Sequence, residues 1–596
     1  MKVSDFIVAQ LAAFGLDTCF SVTGGGAMHL NDSFGENKDF NCVYVHHEQA
    51  ASMAAEGYAR ISGKPAVVNV TTGPGAINSF NGVFGAYTDS IPMLIIAGQV
   101  RSDTISTNHQ LSNLRQLGDQ ELRSIMMVKE ITKFSYQINE IDEVSSTLLE
   151  GIRQSISGRP GPVWIEIPVD IQGANIEADI FYPQTIASKF EKLVEDDAIH
   201  NVLLRLRNSK RPLVLAGTGV QIANARNELI EFVEASNIPV VTAWTHDLIE
   251  SSHRLNAGRA GTIGTRPGNF AVQNCDLLLV IGSRLNIRQV SYNWNSFAEN
   301  SEIIWVDIDP LEFNKPFVKA DLEIISDARL FLRRINTLNK VEDLPSFEEW
   351  ANWCQDIKSK YEPKLSEYIS TDTGINAYHL IPEIFKFAKQ NTIFVCGNAT
   401  ACIVPFQVGL LSAGMRMFSN SGSASMGYDL PAAIGAAIAD PTRPIVCFAG
   451  DGSIMMNIQE LQTISNLNLN IKIVILDNDG YLSIKQTQTN FFGHDHGASP
   501  KSGVTFPNFE LLGNAFNIKT KSLRPGKNWR LDIENLLKES GPIIIVAPLE
   551  VNQEFIPRLK SKSVGGKILT PSLEDMFPHL PETELLEIRN SALKIV

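Results

Sequence analysis

Cysteine is sparse and poorly spaced for chemistry. The seven residues, Cys19, Cys42, Cys275, Cys354, Cys396, Cys402 and Cys447, include no Cys-x-x-Cys pair, which argues against a disulfide framework or a thiolate zinc site and for reduced core thiols. There is no basic excess. Lys and Arg number 51 against 65 Asp and Glu, a net charge of −14, so neither nucleic acid nor an anionic membrane is an expected partner. No apolar run is long enough to span a bilayer, and Met1-Lys2-Val3-Ser4-Asp5-Phe6 leads straight into an amphipathic helix without the apolar core of a secretion signal; the expectation is a cytoplasmic protein. Charged residues are only 19% and hydrophobic ones 44% of 596 residues. That describes a well-buried soluble protein with subunit contacts, too long for one core and long enough for three domains.

What is present centres on Phe448 to Tyr481. An apolar strand, Pro444 to Phe448, runs into Gly450-Asp451-Gly452-Ser453; a patterned helix follows, and a β-branched strand from Ile471 ends in Asp477-Asn478-Asp479-Gly480-Tyr481. In a strand-helix-strand unit both strand ends reach the same edge of a parallel sheet. Asp451 and Asn478 therefore arrive together as hard oxygen donors beside a glycine turn and a helix start, which suits Mg²⁺ and a diphosphate. A lone Gly-Asp-Gly is usually a surface turn. Here the asparagine also falls in place, 27 residues after the aspartate. The whole resembles the diphosphate-binding motif of thiamin diphosphate enzymes, departing from it only in having Asp477-Asn478 where two asparagines are usual. The resemblance implies Asp451, Asn478 and the Gly480 carbonyl as metal ligands, with Gly450, Gly452, Ser453 and Tyr481 around the diphosphate.

Residues 1–170 alternate short strands and helices, with glycines at strand ends: Gly24 and Gly25 after Thr18–Val22, and Gly73 after Ala66–Thr71. An open parallel sheet binds ligands at such ends. Asn41–Val45 runs into His46-His47-Glu48-Gln49-Ala50-Ala51. Most glutamates in such a position only complement a helix dipole. The following Ala55-Glu56-Gly57-Tyr58-Ala59-Arg60, however, resembles the family segment in which a buried glutamate shares a proton with the aminopyrimidine ring, and this implies a catalytic role for Glu48. Glu56 is expected to support helix and subunit packing. Gln120 and His109 are plausible polar neighbours of the substrate, though either suits an ordinary loop.

Residues 171–195 read as a linker. In residues 196–340 the strand ends carry Gly217 and Gly219, Thr242, Gly282-Ser283-Arg284 with Arg288, and Asp307-Ile308, followed by Asp327. A plain structural domain would explain them. The Gly-Ser-Arg-x-x-x-Arg and Asp-Ile-Asp-Pro segments also resemble the flavin-binding middle domain of acetohydroxyacid (acetolactate) synthases, which implies bound FAD. Residues 341–375 read as a helical connector. Residues 376–548 form a third α/β domain, where Gly397-Asn398-Ala399-Thr400 can face the diphosphate. In the family context Ala424 and Met426 hold the pyrimidine, Met426 as the residue that bends the cofactor. A methionine there is otherwise ordinary core. The tail, residues 549–596, is expected to pack over a neighbouring surface or close the site.

The resemblance to acetolactate synthase-like enzymes covers nearly the whole chain. It implies an α/β fold of three doubly wound parallel-sheet domains in the order pyrimidine, central and diphosphate, with cofactor sites shared between subunits of a homodimer or homotetramer. The implied reaction decarboxylates a 2-oxo acid, by expectation pyruvate, and joins the two-carbon unit to a carbonyl acceptor. Two features leave the synthase pattern: Thr487 stands where a tryptophan is usual, and the proline before the N-terminal glycines is absent. A larger, more polar acceptor then becomes credible. Gly24 to Asp32 also resembles carboligases of surface-polysaccharide pathways, whose acceptor is a keto sugar nucleotide. An acetolactate synthase using a second 2-oxo acid, a simple decarboxylase or lyase, and a non-enzymatic homologue are the alternatives.

Overall fold

The computed structural model describes residues 1–596 apart from 112, 178, 181–193, 244–246, 343, 365–367, 369, 565–566 and 596. Most of the expected 171–195 linker lies outside the described residues. Three six-stranded sheets, each parallel throughout, follow one another along the chain. The first contains β1 (Thr18–Ser21), β2 (Asn41–Tyr44), β3 (Ala66–Val70), β4 (Met93–Gln99), β5 (Phe134–Gln137) and β6 (Pro162–Pro168) in the order β2-β1-β3-β4-β6-β5. β4 and β6 are buried at every position, as continuous apolar runs between two helical layers must be. Two helices on this sheet matter for the site: α1 (Glu48–Ser62) and α2 (Pro74–Asp89).

The second sheet contains β7 (Pro212–Ala216), β8 (Val240–Ala243), β9 (Asn256–Ala260), β10 (Leu277–Ile281), β11 (Glu302–Asp307) and β12 (Leu322–Ile325), ordered β12-β11-β10-β7-β8-β9. Helix α3 (Glu348–Tyr361) leads away from it. Trp350 and Trp353 of α3 stack at 4.8 Å, and Trp350 Nε1 donates to Pro212 O at 2.9 Å, so the expected connector is partly built into the central core. The third sheet contains β13 (Ile393–Cys396), β14 (Arg416–Phe418), β15 (Ile445–Gly450), β16 (Ile471–Asp477), β17 (Lys519–Ser522) and β18 (Ile543–Pro548), ordered β14-β13-β15-β16-β18-β17. Its helices include α4 (Thr400–Val408), α5 (Asp429–Ala439) and α6 (Leu482–Phe492). The tail ends in α7 (Glu582–Leu593), whose Ile588 and Ala592 join the central core with Phe270 and Trp305. It therefore packs over a neighbouring surface, one of its two expected uses.

The strands read from sequence recur within one or two residues. The edge strands β5, β12, β14 and β17 do not announce themselves, because Lys-Thr-Lys-Ser or Arg-Met-Phe carries neither a long apolar run nor clean alternation. One element differs in kind. The helix expected directly after Gly452 is a 3-10 turn over Ile454–Asn457, and regular helix begins only at Glu460. The short Glu460–Asn466 helix is pushed downstream because Asn457 Nδ2 donates to Gly427 O at 2.8 Å, tying the turn to the loop before α5.

The first and third sheets share one apolar core, and α1 lies against α5 in its middle. Small residues let the two backbones approach. A Cβ on Gly57 would meet Ala432 O at 2.3 Å, and one on Gly435 would meet Ala54 O at 1.9 Å. Gly57 opposes Ala432 while Gly435 opposes Ala54, so the helices run antiparallel. Substituting Gly435→Val should drive the helices apart and destabilise the protein by about 1–3 kcal/mol, the usual range for overpacking. Chemical denaturation would register this, and an unchanged midpoint would contradict the packing.

Candidate active site

Two clusters form at the carboxyl ends of strands, one on the first sheet and one on the third. On the first, β2 ends just before α1. His47 caps that helix, its Nδ1 accepting from Gln49 N at 3.0 Å, so Glu48 is not needed for capping. Glu48 turns instead toward α2, is 9% exposed, and accepts from Asn78 Nδ2 at 3.0 Å. Gly75 leaves room for it: a Cβ there would lie 3.1 Å from Glu48 Oε1. The glycine turns close around the same edge. Gly24 packs on Thr71, and Gly73, at φ +62°, packs on Gln120 O. Gly25 has open space around its Cα. Gln120 itself sits at φ +65° with its side chain exposed, backbone strain of a kind that collects at functional sites. Exposed His109 contacts Asp103 O through Nε2 at 2.8 Å.

On the third sheet β15 and β16 are paired from Ile445↔Ile471 to Gly450↔Leu476, which brings Asp451 and Asn478 side by side. Asp451 is 2% exposed and accepts from three backbone N–H groups: Gly452 N at 2.7 Å, Gly480 N at 3.0 Å and Asn478 N at 3.2 Å. Burial, with Asp477 nearby, pushes its carboxyl up to about 7 despite those donors. The outer amide atom of Asn478 lies 2.7 Å from Gly480 O and 3.3 Å from Asp451 Oδ2. With nitrogen there, the amide donates to both. With oxygen there, three oxygens of an amide, a carbonyl and a carboxylate converge with no proton between them, the donor set of a hard divalent cation. A metal could therefore be held by Asp451, Asn478 and Gly480.

The surrounding turn is as tight. A Cβ on Gly452 would strike the Tyr481 ring at 2.1 Å, and one on Gly480 would strike Ala498 O at 2.3 Å, while Gly450 is unconfined. Asn398 Nδ2 donates to Ala424 O at 2.7 Å, and both Ala399 and Ala424 have positive φ, +47° and +53°. Buried Thr400 opens α4 with its hydroxyl 3.4 Å from Asn478 Nδ2, and Met426 stands half-buried beside Gly427. Ser453 Oγ donates to Asp429 Oδ2 at 2.6 Å and accepts from Gly427 N at 2.9 Å. Sequence reasoning passed over Asp429, which lies three residues after Met426. It is fully buried, its carboxyl is raised by burial to about 6, and Gly397 packs directly on it.

The antiparallel helix pair sets these clusters apart within one chain. Asp429 and Ser453 lie at the start of α5, opposite the end of α1, where Arg60 bridges Glu56 and Asp89 (2.7 Å to Asp89). Glu48 is at the other end of α1, twelve residues earlier, or about 18 Å along the axis at 1.5 Å per residue.

A third assembly is a cleft of about 1040 Å³, counting the solvent-open space between its walls. It is lined by Gly219, Gly282, Ser283, Arg284, Arg288, Asp307, Ile308 and Asp327, together with Asp89, Ser90, Arg159 and Ser421 from the other two domains. Gly217 is not on its wall; it packs against Gly282 and Ser283, where a Cβ would clash at 2.3 Å. Thr242 is buried behind the lining residue Ala243. Asp327 Oδ1 accepts from Arg329 N and Leu330 N as a helix cap. Burial raises Asp307 to about 6. Arg159 is engaged here by Asp309 at 3.0 Å and Glu312 at 2.6 Å, which leaves Arg284 and Arg288 as the lining cations suited to the phosphates of a ligand. Arg159, missed by sequence reasoning, was visible in its Gly-Arg-Pro segment.

Family models match along the chain in the same order: the N-terminal TPP binding domain of thiamine pyrophosphate enzymes over residues 1–121, their central domain over 199–335, and their C-terminal TPP binding domain over 403–547. The chain is 30% identical to the acetolactate synthase large subunit of Lactococcus lactis subsp. lactis (strain IL1403) over 559 residues, 93% of this chain and 94% of that one. It is likewise 30% identical to the acetolactate synthase isozyme 1 large subunit of Escherichia coli (strain K12), covering 93% and 95% of the two chains. With the chloroplastic acetolactate synthase of Arabidopsis thaliana the identity is 29%, covering 96% and 84%.

Glu166, on β6 near the first cluster, provides a pH test. Burial raises its carboxyl from 4.5 to about 7, Ser124 Oγ donates to Oε1, and Oε2 has no partner. Because the folded value lies above the unfolded one, its contribution to stability is complete below about pH 4.5 and is lost as pH rises to about 7. Glu166→Gln should therefore gain on the wild type by about 1.4 kcal/mol per pH unit up to that point and level off beyond it. Denaturation curves from about pH 5.5 to about 8 would show this, and a constant difference would contradict it.

Proposed function

This chain belongs to the thiamine pyrophosphate (thiamin diphosphate) enzymes, in an acetolactate synthase-like group, and from that premise we propose that it is a carboligase: it decarboxylates a 2-oxo acid, with pyruvate as the donor, and joins the two-carbon unit to a carbonyl acceptor. The observation that carries this reading is the pairing of two incomplete clusters, Glu48 with Asn78 on one sheet edge and Asp451 with Asn478 and Gly480 on another. Thiamin diphosphate, when bound, supplies a carbanion at its thiazolium carbon and a sink for the electrons released with CO₂. Glu48 would hold the proton shared with the pyrimidine ring. Asp451, Asn478 and Gly480 O hold Mg²⁺, and the turns at Gly397–Thr400 and Gly450–Ser453 offer amides and hydroxyls to the diphosphate. Ala424 and Met426 bear on the pyrimidine, and Gln120 lies on the substrate side.

Because Glu48 and the metal cluster lie at opposite ends of α1 and α5, each cofactor is enclosed by two subunits of a homodimer or a larger homo-oligomer. The large cleft would hold FAD, with Arg284 and Arg288 available to its phosphates and Asp307 and Asp327 to its polar groups. A cytoplasmic setting belongs to this reading and agrees with the seven unpaired thiols.

The relatives' names favour a second 2-oxo acid as acceptor, which makes acetolactate synthesis the first reading. One observation favours a second reading. Thr487 on α6 is exposed, and its hydroxyl folds back to Ser483 O at 3.0 Å, so no aromatic wall stands where the synthases have one. A bulkier polar acceptor such as a keto sugar nucleotide then has room. Mass analysis of products from pyruvate, alone and with a keto sugar nucleotide, separates the two: acetolactate in both reactions supports the synthase, and a two-carbon branched sugar supports the other. In either case Glu48→Gln should lower turnover by about 10²–10⁴ while leaving diphosphate binding intact. Undiminished pyruvate consumption by that variant would contradict the assignment.

A further inference from the structure

A second cavity lies away from both clusters and from the three-arginine cleft, where β9, α3 and the end of α4 meet. Its walls include Arg259, Lys358, Glu362, Pro267, Pro382 and Leu410, with about 790 Å³ between them counting solvent-open space. Two cations share it. Arg259 Nη1 donates to Phe406 O at 2.8 Å, satisfying a carbonyl in the last turn of α4, and that alone would make it a helix cap. Its Nε, however, is sealed from solvent and has no partner, which a cap does not explain. Lys358 Nζ donates to Ser251 O at 2.8 Å.

Negative charge is short here. Glu362 is 3.7 Å from Lys358 and half exposed. Asp247, the other nearby carboxylate, is engaged by Arg416 Nε at 2.8 Å and Met417 N at 2.7 Å. Among the described residues no carboxylate forms an ion pair with Arg259. Burial pulls Arg259 down to about 10, and burial together with Arg259 lowers Lys358, yet a group titrating near 10 is still a cation at neutral pH. A guanidinium and an ammonium lining one cavity, with the half-exposed Glu362 as the carboxylate on its wall, form an oxyanion receptor. The prolines and Leu410 supply an apolar wall beside it.

We infer that the cavity between β9, α3 and α4 is a binding site for a small organic oxyanion, with a carboxylate or monophosphate held by Arg259 and Lys358 and an apolar portion against Pro267, Pro382 and Leu410. The site is separate from the reaction proposed above and does not depend on it. It has a route to that chemistry, since Gln407 and Val408 at one end of α4 line the cavity and Thr400 at the other end faces Asn478.

The test uses full-length protein saturated with thiamin diphosphate, Mg²⁺ and FAD, so that other phosphate sites are filled. Isothermal titration with inorganic phosphate and, separately, with butyrate distinguishes a phosphate from a carboxylate ligand. Saturable binding of either, weakened at least about tenfold by Arg259→Met and less by Arg259→Lys, is the expected result. Lys358→Met leaves the α4 carbonyl bond intact and provides the same comparison should Arg259→Met fail to fold. No saturable binding of either anion, or equal affinity in wild type and Lys358→Met, would overturn the inference.

Discussion

The close antiparallel contact of α1 and α5 is the constraint on which the rest depends. Gly57 and Gly435 remove the side chains that would hold the backbones apart, facing Ala432 and Ala54, and Ala55, Ala433 and Ala436 of the same helices belong to the shared core. Burial of small residues gives each contact little area, but the two helices join the first and third sheets into one core. Their polarity decides which residues can meet. The end of α1 that carries Arg60 lies beside the start of α5 and Asp429, while Glu48 stands twelve residues earlier, at the other end of α1.

The same geometry explains where charge is tolerated inside the molecule. Arg60 is buried between Glu56 and Asp89, and Asp89 also accepts from Gly422 N at 3.0 Å while lying 3.7 Å from Arg284. One carboxylate thus touches all three domains at the mouth of the large cleft. Such a pair is costly to desolvate and damaging to break, so it specifies how the domains sit more than it adds net stability. At the third sheet the opposite holds. Asp451 is buried with three backbone amide donors and, among the described residues, no Lys or Arg ion-paired to it, and its raised carboxyl is one that a divalent ion would relieve.

Much of this was legible in the sequence because parallel sheets put chemistry at strand ends. Asp451 and Asn478 could be brought together from spacing alone. The resemblance added the catalytic role expected of Glu48, the order of the domains, and the Arg284, Arg288 and Asp307 side of the large cleft. Other features were not legible. That His47 rather than Glu48 caps α1, that Asp429 underlies the Gly397 turn, and that Gly217 serves packing instead of the cleft are facts of three-dimensional approach with no local signature. The helix expected after Gly452 became a 3-10 turn because Asn457 is held by the loop before α5, a contact thirty residues away. The use of the tail was half legible: packing over a surface and closing the site were both open from sequence, and the structure shows α7 on the central core, with Ser591 accepting from Trp353 at 2.8 Å.

The central claim is that one chain cannot complete a cofactor site and that two chains complete each other. The most direct measurement is activity of a hybrid made by co-expressing a Glu48→Gln chain and an Asp451→Asn chain with different affinity tags and purifying the mixed dimer. In that hybrid one site carries both substitutions and the other carries neither. The account predicts two nearly inactive parents and a hybrid with about half the wild-type activity per dimer, by two-fold symmetry. A hybrid as inactive as its parents would contradict it and return both clusters to a single chain.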